Sequence, residues 1–224
     1  MRVKHVFFVC AVAAALFGCG GSVTSNGIAN IRGINASSTP ALTDLFTDFN
    51  LIGFSIPSGQ ASPYSLQQAQ LLTIGARQTG NTATLASANF QPDPNTNYSV
   101  VFYPTGASAW SFLLLQDSVS APPALKFKLR LINTNLGGGA VDVYFTDPDT
   151  NLTLETPIFD NIPFTGVTSS IDLAAGVGKQ IRITPGSSTT PLVPPINLTG
   201  VSGATHSLLL WNSAGPKATL LTDN

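Results

Sequence analysis

Acid–base or nucleophilic chemistry needs titratable groups in company, and this chain has few. Its only histidines are His5 and His206, and its only glutamate is Glu155. His206 stands beside an apolar run, where it reads as a core or boundary residue. A nucleophile needs a base within reach, and no serine has one in its motif. Gly200-Val201-Ser202-Gly203 has the wrong spacing for a nucleophile elbow. Glycosidase chemistry needs two placed carboxylates, and no motif singles out a pair among the 11 acids. Asp147, Asp149 and Asn151 alternate along Asp147-Pro148-Asp149-Thr150-Asn151 like the opening of a calcium loop. An EF-hand would continue with Gly at its sixth position and Glu at its twelfth; Leu152 and Ile158 stand there. The segment reads as a turn, with these three residues as weak metal candidates. No catalytic residue and no cofactor is assigned.

The polar residues that recur are Arg32 with Asp44 and Arg130 with Asp142. They could form a ligand-binding pair. The expectation is structural: an ion pair or hydrogen-bonded bracket between neighbouring strands, repeated because the fold repeats. Tyr103, Trp110 and Trp211 lie near strand ends; exposed they would stack on sugars, but core packing is the expectation.

The amino-terminal residues are addressed to export. Arg2 and Lys4 precede an apolar run from Val6 to Phe17, too short to cross about 30 Å of hydrocarbon as a helix. Leu16-Phe17-Gly18-Cys19 follows and resembles the lipobox of bacterial lipoproteins. The resemblance implies cleavage before Cys19, a diacylglyceryl group on its thiol and a further acyl chain such as palmitate on its amine. Several chains hold a protein to a bilayer durably where one does not. Gly20 in place of Asp resembles the enterobacterial pattern for the outer membrane. Residues 1–18 are thus expected as signal peptide and 19–27 as a flexible tether.

The elements that must position these side chains are strands. Charged residues make up 9% of the chain against about 25% in an average protein, while Gly (20) and Pro (16) abound. That composition suits short strands and tight turns, and 43% hydrophobic residues excludes a disordered chain. Removing residues 1–18 makes the net charge slightly more negative than −1, which offers nothing to nucleic acid. Cys10 is lost with the signal, so the processed chain has no disulfide.

The chain also repeats. Ile31-Arg32-Gly33-Ile34-Asn35 matches Leu129-Arg130-Leu131-Ile132-Asn133, and Thr43-Asp44-Leu45-Phe46 then falls on Val141-Asp142-Val143-Tyr144 without a gap. After an insertion in the second copy, Leu72-Thr73-Ile74 matches Ile181-Arg182-Ile183. Tyr98-Ser99-Val100-Val101-Phe102-Tyr103 matches His206-Ser207-Leu208-Leu209-Leu210-Trp211, and Leu114-Leu115-Gln116-Asp117 matches Leu220-Leu221-Thr222-Asp223. Lys126 to Ile132 alternates with period two, a strand signature. Val100 to Tyr103 and Leu208 to Trp211 are unbroken apolar runs, as in central strands covered on both faces. Ser65 to Ile74 reads as loop then strand. The repeats are bounded at 28–119 and 124–224, with 120–123 a stiff linker.

Leu129 to Asn133 followed by Ala140 to Tyr144 resembles the bacterial family known as domain of unknown function 4397, with an Arg-bearing opening strand and then a Val-Asp-Val-Tyr strand. Copy one fits less closely, because Asp44-Leu45-Phe46-Thr47 lacks the valines and tyrosine. The resemblance implies an immunoglobulin-like sandwich, frequent in exported and anchored envelope proteins, and brings no activity. The expected fold is all-β: two tandem immunoglobulin-like antiparallel β-sandwich domains after a lipoprotein signal peptide. The expected function is a non-catalytic cell-envelope lipoprotein acting in surface binding, adhesion or scaffolding. It would be partnered by the membrane through its lipid and by an envelope glycan or protein. The alternatives are an enzyme acting on envelope polysaccharide or peptidoglycan, and a calcium-stabilised surface module.

Overall fold

A computed structural model describes residues 27–48, 50–117, 120–212 and 215–223. The expected signal peptide, Cys19 and most of the tether lie outside them. The described residues are all-β apart from one 3₁₀ turn, Leu152–Leu154. Among the described residues no helix is long and apolar enough to cross a membrane.

The first repeat supplies β1 (Ile28–Asn35), β2 (Leu42–Thr47), β3 (Leu51–Pro57), β4 (Gln60–Ala61), β5 (Ser65–Gln68), β6 (Leu72–Gln78), β7 (Thr84–Phe90), β8 (Asn97–Gly106) and β9 (Ala109–Gln116). The second supplies β10 (Lys126–Thr134), β11 (Val141–Thr146), β12 (Phe159–Ile162), β13 (Ile171–Ala174), β14 (Gly178–Pro185), β15 (Ile196–Thr199), β16 (Thr205–Asn212) and β17 (Pro216–Thr222). Every sheet draws its strands from one repeat alone. The first repeat forms sheet β4-β1-β8-β9, with β5 also on β1, and sheet β3-β2-β6-β7. The second forms β13-β10-β16-β17 and β12-β11-β14-β15. The segment 65–74 contains two strands, not one, because Ser65–Gln68 pairs with β1 before the chain crosses to the opposite sheet as β6.

The sheets are antiparallel except at one place in each repeat. β1 runs parallel to β8, and β10 parallel to β16. Parallel neighbours need a long crossover, which the intervening strands of the other sheet provide.

Alternation decides what each sheet faces. On β10, Phe127, Leu129 and Leu131 point into a core shared with Val141, Val143, Ile181 and Ile183 of the opposite sheet. On β1, Ala29 and Ile31 join Leu45, Ile74, Val100 and Phe102 likewise. The other faces of β1 and β10 are also covered. Ile34, Val101, Tyr103, Ile132, Leu209 and Trp211 form a third apolar seam between the two repeats. The four sheets therefore stack in the order β2 sheet, β1 sheet, β10 sheet, β11 sheet. The unbroken apolar runs of β8 and β16 have partners on both faces for this reason, and residues 120–123 join halves that are packed together.

Candidate functional site

The polar face of β1 and β10 puts two arginines in the middle of the third seam. Arg32 and Arg130 follow the same alternation as Ile34 and Ile132 and are 2% and 5% exposed. Charges this deep need partners, and each arginine finds its carboxylate on the other repeat.

Arg32 Nη2 ion-pairs with Asp223, its Nη1 donates to the Thr222 carbonyl at 2.8 Å, and its Nε donates to Ser99 Oγ at 2.8 Å. Arg130 Nη2 ion-pairs with Asp117, its Nε donates to Ser207 Oγ at 2.7 Å, and Nη2 lies 3.6 Å from Asp223 Oδ2. The serines close the circuit: Ser99 Oγ donates to Asp117 at 2.9 Å, and Ser207 Oγ to Asp223 at 2.6 Å. Two arginines, two aspartates and two serines thus form one closed ring of balanced charge, each residue facing its counterpart from the other repeat in the same role. Asp117 and Asp223 sit just beyond β9 and β17, so the end of each repeat's last strand supplies the acid for the other repeat's first strand. Tyr64 lies over Arg32, with the guanidinium carbon 5.1 Å from the ring centre, and donates its hydroxyl to Asp117 at 2.7 Å. Burial works against the Arg32 charge, but Asp223, Tyr64 and Asp117 outweigh it and the net shift is upward. Burial also pushes the Tyr64 phenol well above its ordinary value, helped by Asp117. Charge-assisted bonds of this kind are strong and directional, and they hold two surfaces in one register.

Arg32 and Asp44 do not pair, nor do Arg130 and Asp142. The physical reason is that the two members stand on opposite sheets of one sandwich, with the arginine on the sheet face turned away from the aspartate. Asp44 accepts from the Ser55 amide at 2.9 Å, Thr79 Oγ1 at 2.7 Å and Arg77 Nε at 3.3 Å. Asp142 accepts from the Asn161 amide at 2.7 Å and the Ser187 amide at 3.1 Å. Ser55 and Asn161 have positive φ, 51° and 52°, and sit where the β2–β3 and β11–β12 pairings shift register. Each aspartate pins a bulge. Burial pushes the Asp44 carboxyl up, but these three donors outweigh it and hold it below the usual carboxylate range. The recurring asparagines tie sheet to sheet: Asn35 Nδ2 donates to the Ile56 carbonyl and Asn133 Nδ2 to that of Ile162, both at 3.0 Å.

The other candidates are engaged locally. Asp147 pairs with Lys179 Nζ at 2.7 Å, and Asn151 caps the 3₁₀ turn by accepting from the Thr153 amide at 3.1 Å. Asp149 occupies the turn with φ 62°. Trp110 stacks on Phe102 and donates to the Thr39 carbonyl at 2.9 Å, while Tyr103 and Trp211 fill the third seam. His206 packs edge-on against Phe127; burial holds its imidazole below the ordinary value, with Asp223 and a Leu221 backbone contact pulling weakly the other way.

Asp117, Asp223, Ser99 and Ser207 were not among the expected site residues. The repeat alignment contains them in matched positions. What it lacks is a reason to pair them across repeats.

Residues 29–144 match the family described as domain of unknown function 4397. The chain belongs to this family. The match begins on β1 and ends at Tyr144 on β11, so it takes in the whole first repeat and only the opening of the second. That differs from the resemblance in the sequence, which is stronger in copy two. The DUF4397 match contains Arg32, Asn35, Asp44, Asp117, Arg130 and Asp142, all of them bracing residues. No curated protein matches the sequence. Among solved structures, a family 26 carbohydrate-binding module from Eubacterium rectale in complex with maltoheptaose is 10% identical, over 86% of this chain and 96% of the module, at a TM-score of 0.30. A streptococcal virulence factor described by its α-glucan binding is also 10% identical, over 82% of this chain and 93% of its own, at a TM-score of 0.30. Likeness that slight says nothing of what this chain binds.

Proposed function

We propose that this DUF4397 protein is a non-catalytic, lipid-anchored module of the bacterial cell envelope, a stiff double sandwich that holds a binding or scaffold surface at the membrane. The observation that carries the reading is the closed ring between the repeats. Its arginines, aspartates and serines are buried and bonded to one another, so these buried charges are engaged in joining two sandwiches. Cys19, behind its apolar run, supplies the anchor, and the outer membrane is the destination that Gly20 favours. The partner on the exposed faces is an envelope glycan or protein. Mass spectrometry of the native protein tests the anchor: an acylated Cys19 as first residue is expected, and Cys19→Ser should release the protein from the membrane fraction. An unacylated amino terminus in the membrane-free fraction would overturn the reading.

A further inference from the structure

Exposed apolar side chains gather at one end of the molecule, the end at which the chain enters β1. The far ends of β1 and β10 lie together. The Gly59 amide donates to the Asn35 carbonyl at 2.7 Å, Gly59 packs on the Trp211 indole, and Trp211 stands opposite Thr134. Arg32 and Arg130 meet in the ring, so the two strands point the same way and their starts share the opposite end.

At the start of β10, three turns are tied into one tip. The Ala175 amide donates to the Leu125 carbonyl at 2.8 Å, the Gly176 amide to that of Gly200 at 2.8 Å, and the Gly203 amide to that of Lys126 at 2.9 Å. On these turns Leu125, Val177 and Val201 are 78%, 44% and 66% exposed. Leu125 has φ 61°, a left-handed backbone that leucine rarely adopts. At the start of β1, the Gly27 carbonyl accepts from the Ala69 amide at 3.0 Å, and Ile28 and Leu71 nearby are 45% and 64% exposed. The β8–β9 turn at the other end exposes Thr105, Ala107 and Ser108 instead.

We infer that this end rests on the lipid bilayer, with Leu125, Val177 and Val201 dipping below the headgroups. The inference rests on the anchoring proposed at Cys19. Gly27 comes eight positions after Cys19, a reach of at most about 29 Å, and the far end lies a strand length, about 26 Å, further on. Exposed apolar clusters mark interaction surfaces, and a lipidated Cys19 keeps a bilayer within reach of this one. The attraction is apolar and not to anionic headgroups, because the exposed Asp48 and Asp93 on the first repeat's side offset Lys126 on the second's.

The native acylated protein in phosphatidylcholine vesicles tests it. An acylated Cys19 leaves Val201→Cys as the thiol that takes an environment-sensitive fluorophore. Quenching by brominated lipid is expected at residue 201 and not at Ser108→Cys on the other end. Leu125→Asn suits a left-handed backbone and removes apolar contact. It should keep or raise the melting midpoint while lowering the ratio of inserted to free tip about tenfold. Protein that does not float with the vesicles would overturn the anchor and this inference together. Protein that floats, with residue 201 no more quenched than residue 108, overturns the inference alone. A blue-shifted but unquenched label does the same, by placing a second copy of the chain on the tip.

Discussion

At the scale of single residues, the ring makes Asp117 more costly to lose than its place beyond a strand end suggests. Asp117→Ala strands the Arg130 charge and removes an acceptor from Ser99 and Tyr64 at once. A loss of about 3–5 kcal/mol is expected from equilibrium denaturation. Replacing both members, Arg130→Met with Asp117→Leu, should cost less than either single change, because no charge is left behind; a double-mutant cycle reads the difference. His206 gives a pH signature. Its folded-state value lies below the ordinary one, so the unfolded chain binds the proton more readily. Stability from this residue is present above about pH 6.5 and falls as pH drops through that unfolded value toward the folded one. His206→Phe, which supplies the aromatic character of Tyr98 at the matching position, should flatten the decline between about pH 7 and 5 in denaturant melts.

At the scale of elements, the turn between β3 and β4 is a contact between repeats. Gly59 has φ +74°, and a Cβ there would meet the Trp211 indole at 2.6 Å. Gly59→Val therefore faces a left-handed backbone and a ring in its way, and a loss of about 2–4 kcal/mol is expected from the denaturation midpoint. Strands were the readable part of the sequence. The alternation from Lys126 to Ile132 gives β10, and the apolar runs give β8 and β16 as strands covered on both faces. What covers the second face was not readable. Lys126, Lys128 and Arg130 share a side that looks solvated, and Lys126 is exposed, yet Arg130 is buried. A period-two pattern reports which residues share a face and is silent on whether that face meets water or another sheet. Ile34 and Ile132, apolar on the same side as the arginines, were the available signal. The pairing of Arg32 with Asp44 failed for a related reason: nearness along the repeat is not nearness across a sandwich, and the true partner is on a strand end far along the chain.

At the scale of the whole molecule, the third seam and the ionic ring should make the two sandwiches unfold together. Trp110 reports on the first repeat and Trp211 on the second, and these are the two tryptophans of the chain. In Trp110→Phe and Trp211→Phe variants, thermal transitions followed by the remaining indole should coincide with those seen by circular dichroism. Separate transitions would mean that the seam does not couple the halves. The arrangement also bears on the order of assembly. Arg32 and Asp223 are 191 positions apart, and a chain emerges amino end first. The first sandwich must wait with its Arg32 guanidinium short of its acid until Asp223, 191 positions later, has arrived. Maturation is thereby tied to the synthesis of β17 and Asp223, and a polypeptide truncated before β17 would present the face that carries Arg32, apolar and positively charged, to chaperones and proteases.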